Sequence, residues 1–270
     1  MVLDATGKYD EPLTPERLFG WQASLFPTGR SGMRPIAVGR WRDDSTGPMQ
    51  VVSGPVGREH VHFEAPRASR VAGDMAAFLD WFDLEEGTDW ILKGCLAHLW
   101  FVVIHPFDDG NGRIARAIAD MALARSERSA QRFYSMSSQI RQERNAYYEI
   151  LARTSNGDLD ITAWIDWFFG CLGRALEGAY DTLAVVLSRT RFWEAVGYGT
   201  VNERQHAVLN RLLDGFEGKL TTSKWARLAK CSTVTAWRDI QALVERGILR
   251  PSAEGGRSTS YELVVPGEPL

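Results

Sequence analysis

Apolar residues recur at helical spacing between Val71 and Phe82, where Val71, Met75, Phe78, Leu79 and Phe82 share one face, and this predicts a helix over 67–83. The next segment is apolar nearly all round. Ile91, Leu92, Cys95, Leu96, Leu99, Trp100 and Val103 predict a central buried helix that stops before Pro106. Another helix is expected from about Gly112, carrying Ile114, Ile118 and Met121, a further one over Ile140–Arg153, and a long one after Asp160 with Ile161, Trp164, Ile165, Phe168, Leu172 and Leu176. Near the start, Thr14 and Pro15 are a cap and a first helical residue for a helix running to about Phe26. Strand patterns are short. Ile36–Arg42 and Met49–Ser53 are expected as strands joined across Asp43–Gly47, and His60–Glu64 alternates as another.

The pattern changes around Gly197–Val201. Asn202 and Gln205 form a capping box. Helices over Thr222–Ala229 and Thr233–Arg246 follow, the second capped by Ser232, and then strands at Gly247–Leu249 and Ser260–Val264. The expected class is mainly α with a small β-hairpin, in two domains, 1–200 and 201–270.

Composition adds limits rather than a function. The 270 residues are 44% hydrophobic and 24% charged, as in ordinary globular proteins. The net charge of −3 argues against a generally basic nucleic-acid coat, although residues 201–265 carry +3 within an otherwise acidic chain. Cys95, Cys171 and Cys231 are too scattered for a disulfide framework or a zinc site. The chain has no signal-peptide pattern, and the longest apolar run, Cys95–Ile104, is too short to span a bilayer. A cytoplasmic location without membrane attachment is the default expectation.

The chemistry concentrates between His105 and Arg116. The chain leaves one helix, turns through Pro106-Phe107-Asp108-Asp109-Gly110, and enters another. A helix N-terminus with Gly110 and Gly112 can cradle an anion, because its first N–H groups lack internal partners and glycine lets a ligand approach the backbone. Asn111 can donate from its amide, and Arg113 and Arg116 supply forked donors suited to phosphate. Asp109 is a hard oxygen ligand for Mg²⁺, and His105 has the basicity to take a proton from a hydroxyl. A plain helix–turn–helix would explain the glycines but not the histidine, aspartate, asparagine and both arginines together.

These residues resemble the Fic family, whose motif His-Pro-Phe-x-Asp/Glu-Gly-Asn-Gly-Arg-x-x-Arg is filled at every fixed position from His105 to Arg116. The preceding run from Ala97 to Ile104 is also similar to that family, and the likeness extends from about residue 10 to residue 265. It implies a Fic-type helical core with a β-hairpin flap, followed by a winged helix-turn-helix. It implies transfer of AMP from ATP to a Ser, Thr or Tyr hydroxyl of a protein, with His105 as base and Asp109 holding Mg²⁺. The implied nucleotide-binding residues are Phe107, Gly110, Asn111, Gly112, Arg113 and Arg116, with Arg116 reaching the γ-phosphate. Arg141, Asn145, Tyr147 and Tyr148 lie where the family builds part of its adenosine pocket, though a tyrosine pair on a helix also serves packing alone. The flap that would present the target protein corresponds to Val56–Pro66. His98 reads as a satisfied core histidine, and His60 and His62 as solvated strand residues.

Many Fic proteins carry an inhibitory Ser/Thr-x-x-x-Glu-Gly/Asn helix whose Glu pairs with the second motif arginine. None of the four Glu-Gly pairs in this sequence has Ser or Thr four residues earlier, so Arg116 is expected to be free to meet ATP. Fic proteins often pair, and a homodimer is among the implied partners. For 201–265 the winged-helix likeness implies DNA or a protein partner, with Thr233, Thr235 and Arg238 facing a groove and Arg257 reaching a backbone. The alternatives to AMP transfer are a nucleotide-sensing DNA-binding regulator, transfer of another phosphate-containing group, and removal of AMP.

Overall fold

The structure is a computed structural model and describes residues 1–43, 45, 47–53, 58, 60–197, 199–252 and 259–264. It is mainly helical. The elements in order are α1 (Val2–Gly7), α2 (Pro15–Leu25), β1 (Arg30–Ser31), β2 (Arg34–Pro35), β3 (Gln50–Ser53), β4 (His60–Glu64), α3 (Ala68–Leu84), α4 (Trp90–Ile104), α5 (Asn111–Glu127), α6 (Met136–Gln142), α7 (Arg144–Ser155), α8 (Thr162–Val196), α9 (Glu203–Leu213), β5 (Leu220–Thr221), α10 (Thr222–Leu228), α11 (Thr233–Glu245), β6 (Leu249–Pro251) and β7 (Ser260–Leu263). They fall into two compact units, Met1–Ala179 and Tyr180–Leu270. The division lies inside α8 rather than at the 200/201 boundary expected from the sequence.

In the first unit α4 and α5 form the centre. Gly94 lets them approach closely: a Cβ there would stand 3.2 Å from the Ala122 side chain and 3.4 Å from the Ala119 carbonyl. The predicted apolar face of α3 is buried at Val71, Met75, Phe78, Leu79 and Phe82, and packs with α2, α4 and α5 in one core cluster. On the other side α4 and α5 meet α6, α7 and the first half of α8. There Trp164 is buried and donates its indole N–H to the Cys95 carbonyl at 3.0 Å. Burying side chains of this size contributes about 1.5–3 kcal/mol each, and this layering holds the α4–α5 turn in place.

Three expectations change. Ile36–Arg42 is not a strand. Its backbone is laced to loops and side chains instead: Ala37 N–H donates to Asp108 (2.8 Å), Gly39 N–H to Gln22 (2.9 Å) and Arg42 N–H to the Pro106 carbonyl (2.9 Å). The hairpin therefore forms between β3 and β4, antiparallel, with Val51 opposite Phe63 and a register shift before Val52. The helix expected over Ile140–Arg153 breaks at Glu143, which closes α6 and opens α7 while binding Arg174 through two 2.6 Å hydrogen bonds.

The second unit has α9, with the predicted Asn202–Gln205 capping box. It then has β5, α10, α11 and a sheet in the order β5-β7-β6, closed over buried Leu209, Trp225, Ile240 and Leu243. The hairpin tip with Gly255, Gly256 and Arg257 lies outside the described residues. Among the described residues no helix is long and apolar enough to cross a membrane.

Candidate active site

α4 is capped at its start by the Asp89 side chain and ends at His105, whose N–H bonds the Phe101 carbonyl and whose backbone is left-handed (φ 52°, ψ 56°). A non-glycine residue there costs about 1–3 kcal/mol and must be held in place. Arg42 holds it. This arginine is buried, donates Nε to the His105 carbonyl at 2.7 Å, and reaches the Pro66 carbonyl with Nη2.

The imidazole is half-buried. Its Nδ1 stands 3.2 Å from the Val102 carbonyl, one of the carbonyls that the end of α4 leaves without a helical partner. A carbonyl only accepts, so Nδ1 carries the proton and Nε2 keeps a free lone pair. Burial pushes the His105 pKa down to about 4, and the Arg42 charge acts in the same direction, while the Val102 bond and Asp109 oppose it. At neutral pH the ring is uncharged.

The turn is shaped by two side chains. Phe107 is completely buried against Trp41, Phe19 and Phe101. Asn111, 2% exposed, closes a reciprocal pair with the Phe107 backbone: Phe107 N–H donates to Oδ1 (3.0 Å) and Nδ2 donates to the Phe107 carbonyl (2.7 Å). Gly110 caps α5 with φ 92°, and a Cβ there would meet the Phe26 ring at 3.1 Å. Glycine is required on both counts. Unlike α4, α5 has no capping side chain: the Arg113 N–H turns back to the Gly110 carbonyl at 3.0 Å, which leaves the N–H groups of Asn111 and Gly112 for a ligand.

Asp109 is half-exposed. It accepts from the Ser31 hydroxyl and from Gly110 N–H, and Arg113 Nη2 stands 3.8 Å away. Arg116 is half-buried beside the Tyr147 hydroxyl, and among the described residues no carboxylate is ion-paired with it. Asp108 braces the loop through Ala37.

These groups open into one cavity of about 560 Å³. His105, Asp109, Gly110, Asn111, Gly112 and Arg116 line it, with Tyr147 and Tyr148 from α7 and Val51 and Phe63 from the hairpin. The cavity thus gathers most of the sequence-predicted set. Phe107 and Arg113 are not in its wall: Phe107 is an anchor of the core, and Arg113 lies over the Phe26 ring at 4.8 Å. The Asn111 amide, expected to serve a ligand, braces the loop. Arg141 and Asn145 are exposed and outside the lining. Arg144, which no local sequence signal marks, lines the cavity and lies over the Tyr148 ring at 5.6 Å. Ser31 and Arg42 carry no such signal either. Of the expected flap, Val56, Gly57 and Glu59 lie outside the described residues, but β3 and β4 cover the cavity.

A sequence model of the Fic/DOC family matches residues 12–123, which contain this whole motif. Residues 12–123 belong to the Fic/DOC family. The fold of the chain is similar to the crystal structure of a Fic family protein from Desulfovibrio desulfuricans G20, with TM-score 0.55 and 21% identity over 99% of this chain and 74% of that one. It is also similar to a Fic domain containing signaling protein from Bacteroides thetaiotaomicron VPI-5482, with TM-score 0.51 and 23% identity over 66% of each chain. At those identities the likeness concerns the fold. The Fic/DOC assignment rests on the segment that carries α2 to α5 and the turn between α4 and α5.

Proposed function

We propose that this protein transfers AMP from ATP to a Ser, Thr or Tyr hydroxyl of a target protein. The observation that carries this reading is the bare Nε2 of neutral His105 in the same cavity as the uncapped N-terminus of α5. A base and an anion cradle side by side are what phosphoryl-centre chemistry requires.

In this reading the first turn of α5 and Arg116 hold the polyphosphate and align its α-phosphorus. The target hydroxyl gives its proton to His105 Nε2 as its oxygen bonds the α-phosphorus. The α–β bridging P–O bond breaks, and pyrophosphate leaves. A base this weak in the free protein is strengthened by phosphate charge nearby, which favours the imidazolium. Asp109 would hold Mg²⁺. A lone carboxylate, with no cluster of three ligating side chains among the described residues, fits an ion whose remaining ligands are water and phosphate oxygens. Bound Mg²⁺ supplies neutralisation of the phosphate charge. The β3–β4 hairpin, through Val51 and Phe63, would line up the target segment by strand addition.

The second unit would recruit a partner, DNA or protein. Support comes from α11, which turns Thr233, Val234, Trp237 and Arg238 to solvent. Incubating the protein with ATP labelled at the α-phosphate, Mg²⁺ and cell lysate, beside a His105→Ala control, tests the enzymatic reading. Protein-bound label that vanishes in the control supports it, and label equal in both, or absent from both, overturns it.

A further inference from the structure

We propose that the Tyr147 hydroxyl, oriented by His98, donates a hydrogen bond to a phosphate oxygen of a bound nucleotide. The inference rests on the reading of this cavity as a nucleotide site and adds two residues to it.

His98 lies two turns before His105 on α4 and is completely buried. Its ring packs against Tyr147, Trp164 and Phe168, with centroids 5.8, 5.3 and 6.2 Å away. Nε2 stands 3.0 Å from the Tyr147 hydroxyl oxygen, and Nδ1 has no hydrogen-bond partner. Burial and the charge of Arg116 keep the ring neutral, with a pKa of about 3, so it carries a single N–H.

Two arrangements are open. With the proton on Nδ1, a strong donor is orphaned among aromatic rings. With the proton on Nε2, the donor is satisfied by Tyr147 and only a lone pair goes unused. Orphaned buried N–H groups are the rarer of the two in folded proteins. The second arrangement therefore holds, and His98 donates to Tyr147.

The tyrosine proton then has to go elsewhere. Arg116, which stands beside the same hydroxyl, offers donors only. What remains is the cavity, which Tyr147 lines. The hydroxyl oxygen and Arg116 Nη1 lie 3.9 and 3.7 Å from the point where a Cβ on Gly112 would sit, so both adjoin the first turn of α5. Burial pushes the Tyr147 pKa up to about 12, and the hydroxyl stays protonated at any physiological pH. A lone hydroxyl donor, a guanidinium and a helix N-terminus around one space call for an anionic oxygen.

Two measurements test this. ¹⁵N-correlated NMR of the wild-type imidazoles reads the tautomer without any substitution: His98 is expected protonated at Nε2, and protonation at Nδ1 overturns the inference. Calorimetric titration with Mg·ATP and with adenosine then compares wild type with the Tyr147→Phe variant and with a His98→Phe/Tyr147→Phe double variant, which leaves no polar partner stranded. ATP affinity is expected to fall about tenfold in both variants, with adenosine affinity unchanged. Equal losses for both ligands, or none, overturn the inference while leaving the nucleotide site standing. A wild-type protein that binds neither ligand overturns that reading and this inference together.

Discussion

The Arg42 guanidinium donates to the backbone carbonyl of His105 at 2.7 Å, and it holds the Pro66 carbonyl at the exit of the β3–β4 hairpin. One buried side chain thus fixes the strained residue whose imidazole is the proposed base and ties it to the element that covers the cavity. Arg42→Met should destabilise the protein by roughly 2–4 kcal/mol in urea unfolding, since buried carbonyls lose their donors. Where the fold survives, label transfer should drop on the order of a hundredfold, as expected when a reacting group is misplaced by about 1 Å. Unchanged stability and transfer would show that His105 keeps its left-handed backbone without help.

Asn111 is expected to behave as a structural brace. Asn111→Ala strands the buried N–H and carbonyl of Phe107 and should cost about 2–4 kcal/mol by chemical denaturation. A residue acting mainly as a ligand donor would instead weaken ATP binding with stability near wild type.

Gly110→Ala combines a left-handed backbone with a Cβ at 3.1 Å from the Phe26 ring. A loss of about 1–3 kcal/mol is expected, together with weaker ATP binding as the first turn of α5 shifts. Gly112→Ala has no positive φ, and its Cβ would make only ordinary contacts at 3.7 and 3.9 Å. Its stability should stay within about 1 kcal/mol of wild type. Equal stability losses in the two variants, measured by thermal unfolding, would contradict this distinction.

Acid should weaken the fold before the carboxylates titrate. His98 and His105 have folded pKa values of about 3 and 4, below the ordinary histidine value of 6.5. The unfolded chain therefore binds protons first. The stability these rings contribute is full above pH 6.5 and is lost as pH falls toward 4. Urea midpoints should decline from pH 7 to pH 5, and the decline should be shallower in His98→Phe. Identical slopes in the two proteins would contradict a buried neutral His98.

The sequence made the α4–turn–α5 unit legible because its signals are local: an all-apolar helix, a stop at Pro106, glycines at the turn, and amphipathic spacing from Ile114 onward. Arg42 and Ser31 were not legible, since their partners lie 63 and 78 residues away and no local signal marks either. The segment between them satisfies its backbone through side chains and loop carbonyls, so the strand-like pattern of Ile36–Arg42 does not become a strand. On the α7 side Tyr147 and Tyr148 line the cavity as expected, whereas Arg141 and Asn145 do not, for a different reason. A continuous helix over Ile140–Arg153 puts Arg141, Asn145 and Tyr148 on one face. The break at Glu143 instead turns Arg144, Tyr147, Tyr148 and Leu151 to the cavity. In the second unit β5 has only two residues, too few to carry an alternating pattern.

The central claim is that this cavity moves the α-phosphate of ATP onto a protein hydroxyl with His105 as base. Parallel reactions with ATP labelled at the α- or the γ-phosphate, in wild type and His105→Ala, test it most directly. The account predicts label from the α position alone, and only in the wild type. Transfer of the γ label, or α label that persists in His105→Ala, would contradict it.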